Sequence, residues 1–373
     1  MLYLDNSATT QVLPEVKDAM LPYLIEEYGN PSSKYYTLAE NARKAVEESR
    51  FHVAQLVGCE SDSIIFTSGA TESNNFIIKG IAHYYKNQSR HIVTSAVEHP
   101  SVLETCKFLE GEGWTVTYLS VDKYARIYLN ELETAIQKEK PALVSIMWGN
   151  NELGSLNDIE GIVRICKSYD VLFHTDATQV IGKVPVDLKT LDGVNFLSGS
   201  AHKYHGPKGV GFAYIGKDAL GLPIQLTPLL HGGGQENELR SGTLAVHNIV
   251  GIGKASELAH KNLNANITKL EALDKTLITI LEQKFSKHIS FNHDNAKRIP
   301  GVLNVLFKGI NNETLVRSLA PIISVSTGSA CSSTKPSHVL REAGLSIEEV
   351  RNCVRFSLNS LVKQEELKLF ETL

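Results

Sequence analysis

Between residues 63 and 200 the chain alternates short apolar runs with longer segments of helical period. The apolar runs are SIIFTS, RHIVTS, WTVTYLS, ALVSIMW, VLFHTDA and VNFLSGS. They are rich in β-branched and aromatic residues and look like buried strands. HPSVLETCKFLEGEG, NELETAIQKEK and DIEGIVRICKSYD stand between them with the spacing of amphipathic helices. Parallel strands need long crossovers and such crossovers are usually helical, so this rhythm predicts an α/β fold with a mostly parallel sheet covered by helices on both sides.

Upstream, TLAENARKAVEESRFHVAQLV reads as a helix from Thr37 to Val57, opened by a capping box between Thr37 and Glu40. Downstream of the glycine-rich GPKGVGFAYIGKDALG, a long helical segment begins between Ser241 and His260 and runs to about Phe285, with no glycine or proline after Gly253. A chain of 373 residues is longer than one core usually serves. The long helix therefore reads as a bridge from a large domain (15–255) to a smaller α/β domain (1–14 with 256–373), in which VLNVLF and CVRFSL are strands. Repeats, low-complexity tracts and flexible linkers are absent.

Several function classes lose support at once. A net charge of -4 gives no basic excess for direct, phosphate-dominated binding to nucleic acid. The N-terminal MLYLDNSATT has neither a basic nor an apolar targeting region and no stretch reaches membrane-span length, so a cytoplasmic protein is expected. The five cysteines, Cys59, Cys106, Cys166, Cys331 and Cys353, are odd in number and widely spaced with no C-x-x-C pair, which predicts reduced thiols and no metal site.

In sheets of this class ligands gather where the strands end at their carboxyl side. SIIFTS is followed by GATESNN, whose glycine permits close backbone approach and whose Thr71 opens a helix with free N–H groups suited to a phosphate. RHIVTS is followed by Glu98 and His99, VLFHT by Asp176 and Gln179, and FLSGS by His202 and Lys203. Each alone has an ordinary explanation, as a capped turn, a satisfied polar group or a solvated lysine. A phosphate turn, an aspartate, a histidine and a lysine at one sheet edge are the parts that a pyridoxal phosphate site requires. Lys203 would bond the cofactor aldehyde, Asp176 would keep the ring nitrogen protonated and His99 would lie on the ring face and move protons. Gln179 would donate to the ring oxygen, while Thr71, Ser200 and His202 would donate to the phosphate.

The same residues lie in a set of motifs that runs nearly end to end: YLDNSATT, YGNPSS, IIFTSGATESNN, HIVTSAVEHPSV, NNELG, HTDATQ, SAHKYHGPKGVG, HGGGQENELRSGT, STGSAC and VRFSL. In order and content this set resembles the cysteine desulfurases of the NifS/IscS type, in the class V aminotransferase group of fold-type I pyridoxal phosphate enzymes. The resemblance implies a seven-stranded, mostly parallel large-domain sheet and a homodimer with composite sites. It also implies that Ala70 joins the phosphate contacts, that Asn151 touches the cofactor or substrate, that Arg355 binds the carboxylate of L-cysteine and that Thr243 reaches the neighbouring subunit's phosphate. Lys203, His99 and Cys331 would be the catalytic residues. Sulfur would pass from L-cysteine to Cys331 as a persulfide, alanine would leave, and an acceptor protein would take the sulfur for iron–sulfur clusters, tRNA thiolation or DNA phosphorothioation.

Cys331 stands apart from the other thiols because it lies in STGSACSSTKPS, a polar run of small residues suited to an accessible loop. A thiol with an ordinary pKa of about 8.5 needs a proton acceptor to attack, and His99 is one candidate. Three departures from the family pattern are present. Ala201 replaces a usual glycine, the segment between Cys331 and Pro336 is two residues short and the C-terminal extension is missing. The last two leave the acceptor open, and the short loop, which limits how far a persulfide can travel, points to a dedicated partner. Selenocysteine lyase or another class V aminotransferase is the alternative. A dinucleotide-binding dehydrogenase would need a G-x-G-x-x-G that the first strand lacks, and a non-enzymatic carrier would leave the cofactor set unexplained.

Overall fold

A computed structural model describes residues 1–328 and 336–371. Its strands are β1 (Leu2–Tyr3), β2 (Ile64–Thr67), β3 (His91–Ser95), β4 (Thr115–Leu119), β5 (Leu143–Ser145), β6 (Phe173–Asp176), β7 (Phe196–Ser200), β8 (Gly211–Ile215), β9 (Ile289–Phe291), β10 (Val302–Phe307), β11 (Ile323–Ser324) and β12 (Cys353–Ser357). Seven of them form the central sheet in the order β2-β8-β7-β6-β5-β3-β4. All of its neighbours pair parallel except β8, which runs antiparallel to both β2 and β7. The sheet is thus the mostly parallel one that the alternation predicts.

Successive side chains of a strand point to opposite faces, and the two faces feed separate cores. Phe66, Val144, Leu197 and Phe212 pack on one side, whereas their chain neighbours Ile65, Leu143, Phe196 and Ala213 pack on the other. The Thr37–Val57 helix lies on the first face against the start of a 40-residue helix, Val246–Phe285. The crossing is close: a Cβ on Gly253 would lie 2.5 Å from the Ser49 Cβ. Farther along the same helix, Leu270, Leu273, Leu277 and Leu281 join a different core with β10 and β12 residues, where β12-β10-β9 form an antiparallel sheet. At about 1.5 Å per residue, one rigid helix serves both cores. The N-terminus belongs with the second, since β1 pairs parallel with β11.

Two local readings are corrected. The Thr37–Val57 helix takes Tyr36, in extended conformation, as its N-cap, so Thr37 is already inside the helix and the Thr37–Glu40 capping box does not form. The glycine-rich segment after Lys203 contains β8, which its glycines conceal from a strand reading. Gly211 is required there: a Cβ would lie 2.5 Å from the Gly199 carbonyl oxygen and 2.6 Å from the Gly69 Cα. That approach seats the turn after β2 against the end of β7.

Candidate active site

β2, β3, β5, β6 and β7 all point the same way, so the residues that follow them converge on one edge. After β2, Gly69 adopts φ 153° and caps the Ala70–Tyr85 helix without any side-chain cap bond. The first N–H groups of a helix have no intrahelical acceptor, and beside them lies buried Ser200, 3.8 Å from where a Gly69 Cβ would stand. Ala70 is partly buried and Thr71 is exposed at this helix start, and His202 follows β7 in the Ala201–Lys203 turn. Burial, then the charges of Lys203, Lys208 and Lys183, push the His202 imidazole down to about 4. Ala201 is fully buried, and its backbone is not among those with positive φ; the room for its methyl comes from Gly206, where a Cβ would meet it at 2.7 Å.

Asp176 ends β6 and is buried. Its Oδ1 accepts from the Thr178 N–H at 3.0 Å and its Oδ2 from the Asn74 amide at 2.8 Å. Asn74 also donates to the Ser101 hydroxyl at 2.8 Å, and that hydroxyl lies 2.8 Å from His99 Nδ1. Because Ser101 Oγ accepts from Asn74, its proton is directed to His99. The Ser101 N–H donates to the same Nδ1 at 3.1 Å, so His99 is the N-cap of the Pro100–Gly111 helix. With Nδ1 accepting, the neutral ring carries its proton on Nε2. Burial holds the His99 pKa below its ordinary value, with Asp176 opposing and Lys203 and His338 adding to the shift.

Lys203 donates to the backbone carbonyls of Ser7 and Ala8 at 2.6 and 2.9 Å. The N-terminal segment is fixed there by Thr10, whose N–H donates to the His202 carbonyl at 2.8 Å. Gln179 donates to the Ser7 carbonyl at 3.0 Å and accepts from Lys183 at 3.3 Å, so its amide orientation is set. Arg355 on β12 is 1 % exposed and donates to the Asn151 and Gly328 carbonyls at 2.9 and 3.0 Å. Its other arm pairs with Asp5 at 2.7 Å, while its Nε is buried without a partner among the described residues. Thr243 is exposed, three positions beyond Arg240, which is bonded to Glu72 in the first turn of the Ala70–Tyr85 helix. Cys331 lies outside the described residues.

The residues that the motif reading left unassigned are Asn74, Ser101, Glu98 and Asp5. Glu98 is fully buried, accepts from Ser95 Oγ at 2.6 Å and Met147 N at 2.9 Å, and its carboxyl is pushed up to about 8 chiefly by burial. It joins the ends of β3 and β5 directly before His99.

Comparison with known proteins agrees with this geometry. The aminotransferase class V family model matches residues 2–370. The cysteine desulfurase IscS of Dictyoglomus turgidum is 43% identical over 369 residues, covering 98% of this chain and 91% of that protein. A solved NifS-like protein superposes with a TM-score of 0.91 at 38% identity over 100% of this chain and 97% of the other. SspA, solved in complex with cysteine, gives a TM-score of 0.84 at 36% identity, covering 96% and 99% of the two chains. The mostly parallel seven-stranded sheet is thus that of a fold-type I enzyme, and the chain belongs to the class V aminotransferase family, among its pyridoxal phosphate-dependent cysteine desulfurases.

Proposed function

We propose that this enzyme takes sulfur from L-cysteine, releases alanine and holds the sulfur as a persulfide on Cys331. The observation that carries the reading is the chain of hydrogen bonds from Asp176 through Asn74 and Ser101 to His99. It gives a buried carboxylate and a neutral imidazole fixed orientations in one site.

The residues fit pyridoxal phosphate. The uncapped helix start after Gly69, with Ala70, Thr71, Ser200 and His202, is a cradle for its phosphate. Asp176 would pair with the ring nitrogen, Gln179 would donate to the phenolate oxygen of the ring, Asn151 would contact that oxygen or the substrate, and Lys203 would carry the covalent link. When bound, the cofactor supplies an electron sink that acidifies the α-proton of cysteine and makes its sulfur electrophilic.

The remaining work falls to the chain itself. Lys203, already held by two carbonyls, takes and returns the α-proton. His99 presents Nε2–H as a proton donor, because Nδ1 is occupied by Ser101. Arg355 offers its Nε, without a partner among the described residues, to the substrate carboxylate while Asp5 holds its other arm in place. The thiolate of Cys331 takes the sulfur as the C–S bond of the substrate breaks. SspA was solved with cysteine, which supports the substrate assignment.

By the same reading Thr243, exposed after a loop anchored at Glu72, reaches the phosphate of a second subunit, so the enzyme works as a homodimer. The domain boundary falls near residue 255, within the helix that serves both cores. The persulfide goes to a dedicated acceptor protein in the cytoplasm.

The test is the colour and its attachment. The purified protein should be yellow, and reduction with borohydride should fix the cofactor on Lys203. Lys203→Ala should abolish the fixed adduct, and a reduced cofactor mapped to any other lysine would overturn the assignment.

A further inference from the structure

Beside Lys203 a cavity of about 150 Å³ opens between the Val246–Phe285 helix and the Leu358–Leu361 segment. Asp176, His99, Gln179 and Ser200 do not line it; it shares Lys203 with the site described above and extends from there toward the Val246–Phe285 helix. Its cationic groups are Lys183 and Lys203, and its neutral polar groups include the amides of Asn6, Asn262, Asn266 and Asn359 beside the hydroxyls of Thr10 and Ser360. No carboxylate lines it among the described residues. Lys183 donates to Gln179 Oε1 at 3.3 Å and has no ion pair among the described residues. Burial, then the neighbouring charges of Lys203 and Arg355, lower the Lys183 pKa to about 7. Its positive charge is thus sustained at a cost that a nearby anion would remove.

We propose that this cavity is a binding site for a small monocarboxylate, held by the Lys183 ammonium and the surrounding amides. Size limits the ligand: ordinary small-molecule pockets begin at about 300 Å³, so only a few heavy atoms fit. The remaining wall is aliphatic, with Leu13, Leu258 and Leu270. Such a wall suits the short hydrocarbon body of a carboxylate better than a fully polar anion such as sulfate. The site does not depend on the desulfurase reading, since none of its contacts requires turnover.

The probe is propionate, titrated by calorimetry into the cofactor-loaded enzyme, with sulfate as the competing class. Binding should fall at least about tenfold in Lys183→Met, be retained in Lys183→Arg, which keeps the cation, and persist in Arg355→Lys, which alters the substrate site. Asn266→Leu, on the half-buried face of the helix, should weaken binding in the same direction should Lys183→Met melt early. Equal affinity in wild type, Lys183→Met and Asn266→Leu would overturn the proposal, as would no binding to the wild type. Loss in Arg355→Lys instead would place propionate at the substrate site, and preference for sulfate would refute the ligand class.

Discussion

The Asn74 amide nitrogen lies 2.8 Å from Asp176 Oδ2, although the two residues stand 102 positions apart in the chain. The same nitrogen reaches Ser101, and through it His99. One amide therefore orients both the carboxylate and the imidazole of the site.

Asn74→Ala should leave two buried acceptors short of a donor, a loss of about 1–3 kcal/mol that a lowered Tm would record. Cofactor absorbance at saturating cofactor should change little, while alanine formation should fall about tenfold, or ~1.4 kcal/mol in the barrier. Wild-type turnover in this variant would show that Asn74 does not position the site.

Glu98 makes a pH prediction with a definite sign. Its carboxyl rises from 4.5 to about 8 in the folded protein, chiefly through burial. The folded state therefore binds this proton more tightly than the unfolded one, and stability is lost as pH rises from 4.5 towards 8 at up to about 1.4 kcal/mol per unit. Glu98→Gln keeps an acceptor for Ser95 and Met147 and removes the titration. Its Tm should match wild type near pH 4.5 and exceed it near pH 8; a difference independent of pH would refute the buried neutral acid.

The loop that ends at Thr243 is fastened by Glu236. Its two carboxylate oxygens take Arg50 at 2.8 Å each, and one also accepts from the Phe66 N–H at 2.7 Å. Glu236 and Arg50 are both buried, and Glu236, Asn237 and Glu238 all have positive φ, so the pair holds backbone in an unfavourable conformation. Glu236→Gln should cost about 3 kcal/mol, because Arg50 loses its buried counter-charge and keeps only the exposed Glu47. Chemical denaturation measures this. Since the same loop carries Thr243, sedimentation should show weakened dimerisation in the variant, and an unchanged denaturation midpoint would refute the anchor.

Most strands were legible in the sequence because burial on both faces leaves uninterrupted apolar runs, and Asp176, His99 and Lys203 stand at or just after such runs; β4 is the exception, an edge strand with Thr115 and Tyr118 exposed rather than the buried strand its run suggests. Partners set by tertiary contact were not. Asn74 looks like part of a helix start, and Asp5 meets Arg355 across 350 residues. Glu98 carries no outward mark of its buried, neutral state. β8 was hidden for a different reason: the glycine that lets it approach Gly69 also removes the strand signal. The capping pattern at Thr37 misled because the helix starts one residue earlier than the pattern assumes.

As the thiol proposed to receive sulfur, Cys331 has poor rivals. Cys106, Cys166 and Cys353 are buried, and burial pushes each of them, and Cys59, up to about 12, so thiolate is scarce at neutral pH. The most direct measurement loads the cofactor-bound enzyme with sulfur-labelled cysteine and maps the label by peptide mass spectrometry, in wild type and in Cys331→Ser. Label is expected on the Cys331 peptide alone in wild type, and in the variant an intact visible band with no labelled peptide. Label on Cys59, Cys106, Cys166 or Cys353, or persistent labelling in Cys331→Ser, would contradict this assignment.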